Sequence, residues 1–307
     1  METTSKQLID RARAGGLAIP AFNIPYLPMM QPVIQAIVDA DAVAFIESAR
    51  LEWYKFEAKG PGPIATEFKK YAGANHVRLH LDHVPVVDED DIYVDYLPII
   101  QEAIALGFDS VMVDASRLSL EENIAATSLA VQIAHAAGVP CEAELGAVLG
   151  HESGPLPPYE ELYTSGKGFT DIDEAARFST ETGCDWLSVA IGNIHGAVSG
   201  AQRDAKKVEA RLNLDHLEKL SRATDLPLVL HGGTGIRKEY LREAMKRGIA
   251  KINVGTEIRQ AYESAFREAG TVVAAQEAVY HRTFDYLSND IEVAGKRSIL
   301  TNERINA

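Results

Sequence analysis

The sequence predicts a (β/α)8 TIM barrel, an α/β fold in which eight parallel strands form a closed inner sheet. Short apolar strands alternate with amphipathic helical segments along the chain. The strands mostly lack a polar/apolar alternation, which is typical of parallel strands buried on both faces. The polar residues suited to chemistry stand at the C-terminal ends of these strands, where the active site of a barrel is built. A doubly wound sheet is the alternative, and the lack of a G-x-G-x-x-G motif after the first strand disfavours it.

The chain of 307 residues suits a single barrel domain over residues 1–307, because this fold takes roughly 250 residues. Residues from about 270 to 307 are expected to form helices packed outside the barrel. The predicted strands, rich in Val, Ile and Leu, cover residues 17–22, 43–48, 77–82, 110–114, 140–145, 186–191, 228–230 and 251–254. The predicted helices cover residues 29–40, 96–106, 120–137, 172–181, 214–223, 238–247 and 256–268.

Three segments exceed a minimal barrel. Residues 84–95 contain an acidic insertion after the third strand, residues 153–168 a loop rich in Gly and Pro, and residues 196–211 a loop with basic side chains. Loops of this length in a compact domain are usually lids or specificity elements, and the alternative is that they are disordered.

Composition excludes several classes of protein. The net charge of −14 argues against a nucleic-acid partner, which requires clustered Lys and Arg. No apolar run approaches the ~20 residues that span a bilayer, and the N-terminus does not resemble a secretory signal. Cys141 and Cys184 are expected to be buried thiols and not a disulfide. We therefore expect a cytoplasmic protein with no membrane partner.

Three histidines stand at or just past strand ends: His83, His195 and His231. Three imidazole ligands that leave the fourth coordination position of the metal open form a typical catalytic zinc site. The alternative is that they are ordinary hydrogen-bonded residues at a wet barrel mouth, and their spacing alone does not decide between the two. His80, within the third strand, is expected to be a hydrogen-bonded core residue.

Carboxylates accompany these histidines. Asp82 adjoins His83, and Asp114 ends the fourth strand. Glu142 and Glu144 are two residues apart on the fifth strand and should therefore share a face. One of them could orient a histidine or bind the metal. Glu142 is expected to be a buried, hydrogen-bonded acid. Glu152 begins the long loop after that strand, where a base could close over the substrate.

Glycines favour a phosphate site. Residues 231–235 read His-Gly-Gly-Thr-Gly, and residues 253–256 read Asn-Val-Gly-Thr. The loops after strands seven and eight, with a helix N-terminus, form the common phosphate site of this fold. Tight turns alone would also explain the glycines.

At this point the sequence resembles a known family. Six segments are similar to the motifs of the class II, metal-dependent fructose-bisphosphate and tagatose-bisphosphate aldolases: residues 79–83, 110–116, 142–146, 188–196, 227–235 and 251–254. The match keeps the same order along the chain from about residue 20 to residue 259. The resemblance implies one Zn²⁺ per subunit on His83, His195 and His231, with a monovalent cation as a further candidate cofactor. It implies a homodimer or homotetramer that acts on a small phosphorylated sugar in carbohydrate metabolism, as in glycolysis.

The same resemblance implies roles for individual residues. Asp82 matches the acid/base on the hydroxyl at the cleaved bond, and Glu152 matches the base that moves the proton alpha to the ketone. Asp114 and Glu144 match positions that hold the metal in an alternative location. The residues that match the pocket for dihydroxyacetone phosphate and its surroundings are Asn23, Ser48, Gly196, Gly232, Gly233, Thr234, Asn253, Gly255 and Thr256.

The implied reaction is reversible cleavage of a ketose 1-phosphate or 1,6-bisphosphate into dihydroxyacetone phosphate and an aldehyde. The residues agree, since cleavage needs a metal as electron sink and two proton transfers at separate atoms. A Schiff-base mechanism is disfavoured, because no lysine lies in a strand at the mouth and Lys251 begins its strand at the opposite end. Three alternatives are an aldolase for a different (deoxy or acidic) ketose phosphate, a metal-dependent sugar-phosphate isomerase or epimerase, and a non-catalytic binder.

Some positions depart from the family pattern. Val84 and Pro85 follow His83 where glycine is usual, residues 192–195 read Gly-Asn-Ile-His, and residues 149–151 read Leu-Gly-His. Gly255 also departs, because aspartate or alanine is common there. These changes spare the expected metal site and phosphate site and alter the walls that face the aldehyde half. The sequence therefore leaves open which aldehyde is the partner and whether fructose 1,6-bisphosphate is the physiological substrate.

Overall fold

The structure is a computed structural model, and it describes residues 3–71, 75–146, 159–193 and 210–302. Eight strands pair in chain order, β1 to β8, and β8 pairs with β1, so the sheet is a closed barrel with every pair parallel. This confirms the predicted (β/α)8 barrel. The strands are β1 (Ile19–Asn23), β2 (Ala44–Ala49), β3 (Val77–Pro85), β4 (Ser110–Asp114), β5 (Cys141–Leu145), β6 (Trp186–Val189), β7 (Leu228–Leu230) and β8 (Ile249–Val254).

Helices surround the barrel and connect its strands. They are α1 (Ser5–Ala14), α2 (Met30–Asp39), α3 (Arg50–Lys55), α4 (Pro61–Tyr71), α5 (Tyr96–Leu106), α6 (Leu120–Ala136), α7 (Tyr159–Ser165), α8 (Ile172–Thr182), α9 (Leu214–Thr224), α10 (Lys238–Met245), α11 (Thr256–Ala269), α12 (Val272–Asp285) and α13 (Arg297–Thr301). A 3₁₀ turn at Leu27–Met29 precedes α2, and a π-helical turn at Tyr286–Asp290 follows α12. None of the helices among the described residues is long and apolar enough to cross a membrane.

Two apolar cores stabilise the barrel. The larger lies between the sheet and the helices, and the smaller fills the N-terminal end of the barrel, where Leu8 and Ile9 of α1 pack with Phe45 and Trp186. All four side chains are fully buried. Because α1 closes this end, the opposite end, formed by the C-terminal ends of the strands, is the accessible mouth.

Several details differ from the sequence predictions. The helices α1, α3 and α4 were not predicted, and α7 lies within residues 153–168, which were expected to be a loop. Lys251 does not begin its strand, because β8 starts at Ile249 and Lys251 is fully buried inside the barrel. The acidic insertion is ordered, with Val87 bridging Tyr93. The expected C-terminal helices are present, and α12 packs against α2 and α11.

Candidate active site

The mouth of the barrel gathers titratable side chains from β3, β4 and β5 and from the residue that follows β7. Asp82, His83 and His231 each place one ligand atom within 4.8 Å of the other two, and the imidazole rings of His83 and His231 have centroids 4.4 Å apart. His83, Asp114 and Glu144 form a second such group that shares His83. The structure therefore brings together the described members of the predicted metal site and of its alternative location.

The backbone at His83 explains how that side chain reaches the mouth. The register between β3 and β4 shifts between Leu81 and Val84, and His83 has a φ of +38°, in the left-handed region. A bulge of this kind re-aims a side chain, and strained backbone of this kind concentrates at functional sites. Nδ1 of His83 lies 3.2 Å from Oδ2 of Asp114 and 3.9 Å from Oε2 of Glu144.

His231 lies between two carboxylates of β5. Its Nε2 donates a hydrogen bond to Oε1 of Glu142 at 2.8 Å, and its Nδ1 lies 3.0 Å from Oε2 of Glu144. Burial and the imidazole of His83 lower the pKa of His231, whereas the contacts with Glu142 and Glu144 raise it more strongly, to about 9. The surroundings of this imidazole thus favour positive charge.

Asp82 is held in place by two amide side chains. Its side chain is buried, and its two carboxylate oxygens accept hydrogen bonds from separate amides, Oδ2 from Asn23 at 2.9 Å and Oδ1 from Asn253 at 3.0 Å. Burial raises the pKa of Asp82, but the nearby cationic groups, His83 first, lower it below its usual value. The carboxylate is therefore ionised and oriented to accept a proton.

The chemistry of this donor set fits a divalent metal ion. Two imidazoles stand close together among three carboxylates, Asp82, Asp114 and Glu144, and imidazole with carboxylate ligands suits zinc. Burial raises the pKa of Asp114, and the hydrogen bonds from His83 and Ser116 bring it well below its usual range. The excess negative charge at this point favours a bound cation.

The loops after β7 and β8 form a cradle of backbone next to this cluster. Gly232 has a φ of +66°, and a Cβ on Gly233 would lie 2.7 Å from Cγ2 of Ile252, so glycine is required at both positions. A Cβ on Gly255 would lie 3.2 Å from Oδ1 of Asn23, and α11 begins at the next residue. The N-terminus of α11 and these close backbone approaches suit an anionic group such as phosphate.

The other predicted site residues divide into two groups. Ser48 is fully buried and its hydroxyl accepts a hydrogen bond from Nε1 of Trp53 at 2.8 Å, whereas Thr234 lies in the loop after β7 and Thr256 is the first residue of α11. His195, Gly196 and Glu152 lie outside the described residues.

Sequence reasoning missed a buried ionic network beneath the mouth. Nζ of Lys251 lies 2.6 Å from Oε1 of Glu47 and 2.9 Å from Oε2 of Glu142. His80 lies beside them, with Nδ1 2.7 Å from Oγ of Ser110, and burial followed by the charge of Lys251 lowers its pKa to about 3. The sequence feature that could have indicated this network is a single charged residue in each of two mostly apolar strands, Glu47 in β2 and Lys251 in β8. The network confirms His80 and Glu142 as hydrogen-bonded core residues.

The network also explains why Lys251 does not offer a Schiff-base nucleophile. Burial lowers the pKa of Lys251, but Glu142 and Glu47 raise it above its ordinary value. A Schiff-base lysine must lose its proton near neutral pH. The ammonium of Lys251 instead neutralises the buried carboxylate of Glu142 and contacts the carboxyl group of Glu47.

A closed parallel barrel with imidazoles and carboxylates gathered at its mouth indicates a metal-dependent enzyme of the barrel class, and comparison with known proteins identifies its family. The family model for class II fructose-bisphosphate aldolase matches residues 3–299. The chain belongs to this metal-dependent family, and it is an aldolase, a carbon–carbon lyase.

Individual relatives agree with this assignment. The chain is 36% identical to a fructose-bisphosphate aldolase of Streptococcus pyogenes serotype M3 over 280 residues, which cover 90% of this chain and 86% of the relative. It is 32% identical, with the same coverage, to a 6-phospho-5-dehydro-2-deoxy-D-gluconate aldolase of Halalkalibacterium halodurans. Its fold matches the crystal structure of the YdjI aldolase from Escherichia coli K12 with a TM-score of 0.75 and 29% identity, over 97% of this chain and 100% of that one.

Proposed function

We propose that this aldolase uses Zn²⁺ to cleave a ketose phosphate reversibly into dihydroxyacetone phosphate and an aldehyde. The observation that carries the proposal is Asp82, a buried carboxylate held by the amides of Asn23 and Asn253 and adjacent to His83. A carboxylate held in this way beside a metal site can accept and return a proton in each turnover while its own position stays fixed. His83 and His231, with His195 as the third ligand, would hold the metal.

The metal, when bound, would supply stabilisation of the negative charge that develops on the ketose as the carbon–carbon bond breaks. The residues of this chain then have separate tasks. The glycine-rich loops after β7 and β8 bind the phosphate and thereby fix the position of the bond to be broken. Asn23 and Asn253 orient Asp82 toward the hydroxyl on the carbon that becomes the aldehyde.

Two proton transfers complete the reaction. Asp82 removes the proton of that hydroxyl, its oxygen becomes the aldehyde carbonyl, and the electron pair of the broken bond remains on the dihydroxyacetone-phosphate half. Glu152 then delivers a proton to the carbon that holds this pair. In the synthetic direction both transfers run in reverse. Two carboxylates in different surroundings are needed because the two protons move at different atoms.

Asp114 and Glu144 would hold the metal in a second position, since both lie near Nδ1 of His83. We further propose that the protein works in the cytoplasm as a homodimer or homotetramer, without nucleic-acid or membrane partners. A monovalent cation beside the phosphate site is a further proposed cofactor.

The test is coupled detection of dihydroxyacetone phosphate released from a panel of ketose phosphates, with elemental analysis of the purified protein. We expect release of this product and about one Zn²⁺ per subunit. Interconversion of two sugar phosphates with no dihydroxyacetone phosphate would instead indicate an isomerase or epimerase. Full activity after exhaustive chelation, with no metal detected, would contradict the metal mechanism.

A further inference from the structure

The part of the mouth that faces the aldehyde half of the substrate can be located from the groups already placed. The phosphate cradle follows β7 and β8, and Asp82 on β3 reaches toward Asn23 at the end of β1. The remaining half of the ketose, beyond the bond that Asp82 serves, therefore extends over the ends of β1, β2 and β3. The elements that follow β2 and β3 are α3 and the acidic insertion.

Arg50 begins α3 at this edge. In the pairing of β2 with β3, Ala49 is level with Asp82, and Arg50 is the next residue after Ala49. The side chain of Arg50 is 18% exposed, and its guanidinium lies 4.9 Å from the ring of Tyr54. A cation thus stands one strand away from the reacting groups.

Asp88 of the acidic insertion neutralises this cation. Its Oδ2 lies 3.3 Å from Nη1 of Arg50, and its side chain is only 8% exposed. Its Oδ1 has a separate task, because it accepts the backbone N–H groups of Asp90 at 3.1 Å and Ile92 at 3.0 Å and so holds the turn of the insertion. One oxygen of Asp88 therefore sets the shape of the insertion and the other cancels the charge of Arg50.

Two further arginines on this side of the mouth, among the residues that the structure describes, are also paired with carboxylates. Asp91 lies 3.0 Å from Nη1 of Arg117, and Nη1 of Arg259 lies 2.8 Å from Glu263. Glu52 of α3 lies beside Asn23, and its Oε2 accepts the N–H of Ala49 at 3.0 Å; burial raises the pKa of Glu52 to about 8, so its side chain adds no negative charge near neutral pH. The edge that receives the aldehyde half therefore carries no excess of positive charge among these groups.

We propose that the Arg50–Asp88 pair is a specificity determinant that selects an aldehyde half without a phosphate group. The proposal rests on the function proposed above. A terminal phosphate brings nearly two negative charges and is normally received by uncompensated Arg or Lys. With Arg50 neutralised by Asp88, that phosphate would meet no uncompensated cation among these groups, so the substrate carries a single phosphate, at its dihydroxyacetone end.

The test measures aldol synthesis with two aldehydes that differ only in a phosphate, D-glyceraldehyde and D-glyceraldehyde 3-phosphate. Consumption of dihydroxyacetone phosphate gives kcat/KM for each, whichever product configuration forms. The metal-loaded wild type is expected to favour D-glyceraldehyde. Asp88→Asn keeps the Oδ1 acceptor that holds the turn and removes the charge opposite Arg50. It should raise the kcat/KM ratio of the phosphorylated to the unphosphorylated aldehyde about tenfold.

Asp91→Asn is the matched control, because it removes one charge from the same insertion at an exposed side chain paired with Arg117. Its ratio should equal that of the wild type. If Asp88→Asn does not fold, Asp88→Ser, which retains a hydroxyl acceptor for the turn, takes its place. A wild type that favours D-glyceraldehyde 3-phosphate overturns the inference, and so does a ratio that Asp88→Asn leaves unchanged or lowers. Failure of the proposed function gives a different result: no dihydroxyacetone phosphate would be consumed in the presence of either aldehyde.

Discussion

Glu142 holds the imidazole of His231 from below the mouth of the barrel, at 2.8 Å between Oε1 and Nε2. The other carboxylate oxygen of Glu142 is engaged by Nζ of Lys251 and Nε1 of Trp186. Glu142 is therefore fixed by two donors and leaves Nδ1 of His231 as the nitrogen that faces the cluster. A carboxylate behind a metal-ligating histidine sets its orientation and raises its basicity.

The first prediction follows from that contact. Glu142→Gln should weaken Zn²⁺ affinity by about 10–100-fold, because the neutral amide supports the imidazole less well. Competition with a chelator of known affinity measures the change. Glu181→Gln, at an exposed residue paired with Arg177, is the control and should bind zinc like the wild type. Equal affinities for both variants would show that Glu142 acts only in the fold.

The second prediction concerns the metal ligands. His83→Ala should lose both bound metal and turnover, because His83 stands at the centre of both groups of potential ligands. His281→Ala is the matched control, since His281 is 69% exposed and far from β3 in sequence. Elemental analysis and the aldolase assay are run on the same preparations. A His83→Ala protein that retains stoichiometric metal would remove His83 from the ligand set.

The third prediction assigns the proton at the cleaved bond. Asp82→Ala should retain its metal but lose cleavage by about 10²–10⁴-fold, the usual effect of deleting a general acid or base. Steady-state cleavage rates and metal content together provide the measurement. If the variant cleaves its ketose at the normal rate, Asp82 has another role.

The fourth prediction separates the two carboxylates of the mechanism. Glu152→Ala should suppress exchange of the C–H proton of dihydroxyacetone phosphate with solvent deuterium, whereas Asp82→Ala should leave this exchange largely intact. Proton NMR in deuterated buffer follows the exchange directly. Equal loss in both variants would refute the division of labour, and normal exchange in Glu152→Ala would make His151 the next candidate base.

The fifth prediction is a pH dependence of stability. Burial, with Asp82 adding repulsion, raises the pKa of Glu47 from 4.5 to about 8 despite the opposing charge of Lys251. Between pH 4.5 and about pH 8, Glu47 keeps its proton in the folded protein and releases it in the unfolded chain. The contribution of Glu47 to the free energy of unfolding is therefore fully present below pH 4.5 and is lost as the pH rises through about 8. Glu47→Gln removes this dependence.

The free energy of unfolding of Glu47→Gln, relative to wild type, should therefore increase between pH 5 and pH 8 and then level off. Urea denaturation at constant metal content across this range measures it. Parallel profiles for the two proteins would show that Glu47 is ionised in the folded state throughout.

The sequence by itself determined the barrel and most of the residues at its mouth. Apolar strands without alternation indicate parallel strands, and parallel strands of a barrel bring their C-terminal ends together. That rule sufficed to place Asp82, His83 and His231 in one site. The period of two along β5 likewise sufficed to place Glu142 and Glu144 on one face, where both contact His231.

Only the tertiary structure decided which charges compensate one another. Lys251 and Glu47 lie on strands at opposite ends of the chain, and their contact at 2.6 Å depends on the closure and stagger of the barrel. The pairing of Arg50 with Asp88 depends on α3 and on the fold of the acidic insertion, neither of which has a periodic pattern. Local periodicity records which face of an element is buried, whereas a pair of charges brought together from distant elements leaves no local pattern in the sequence.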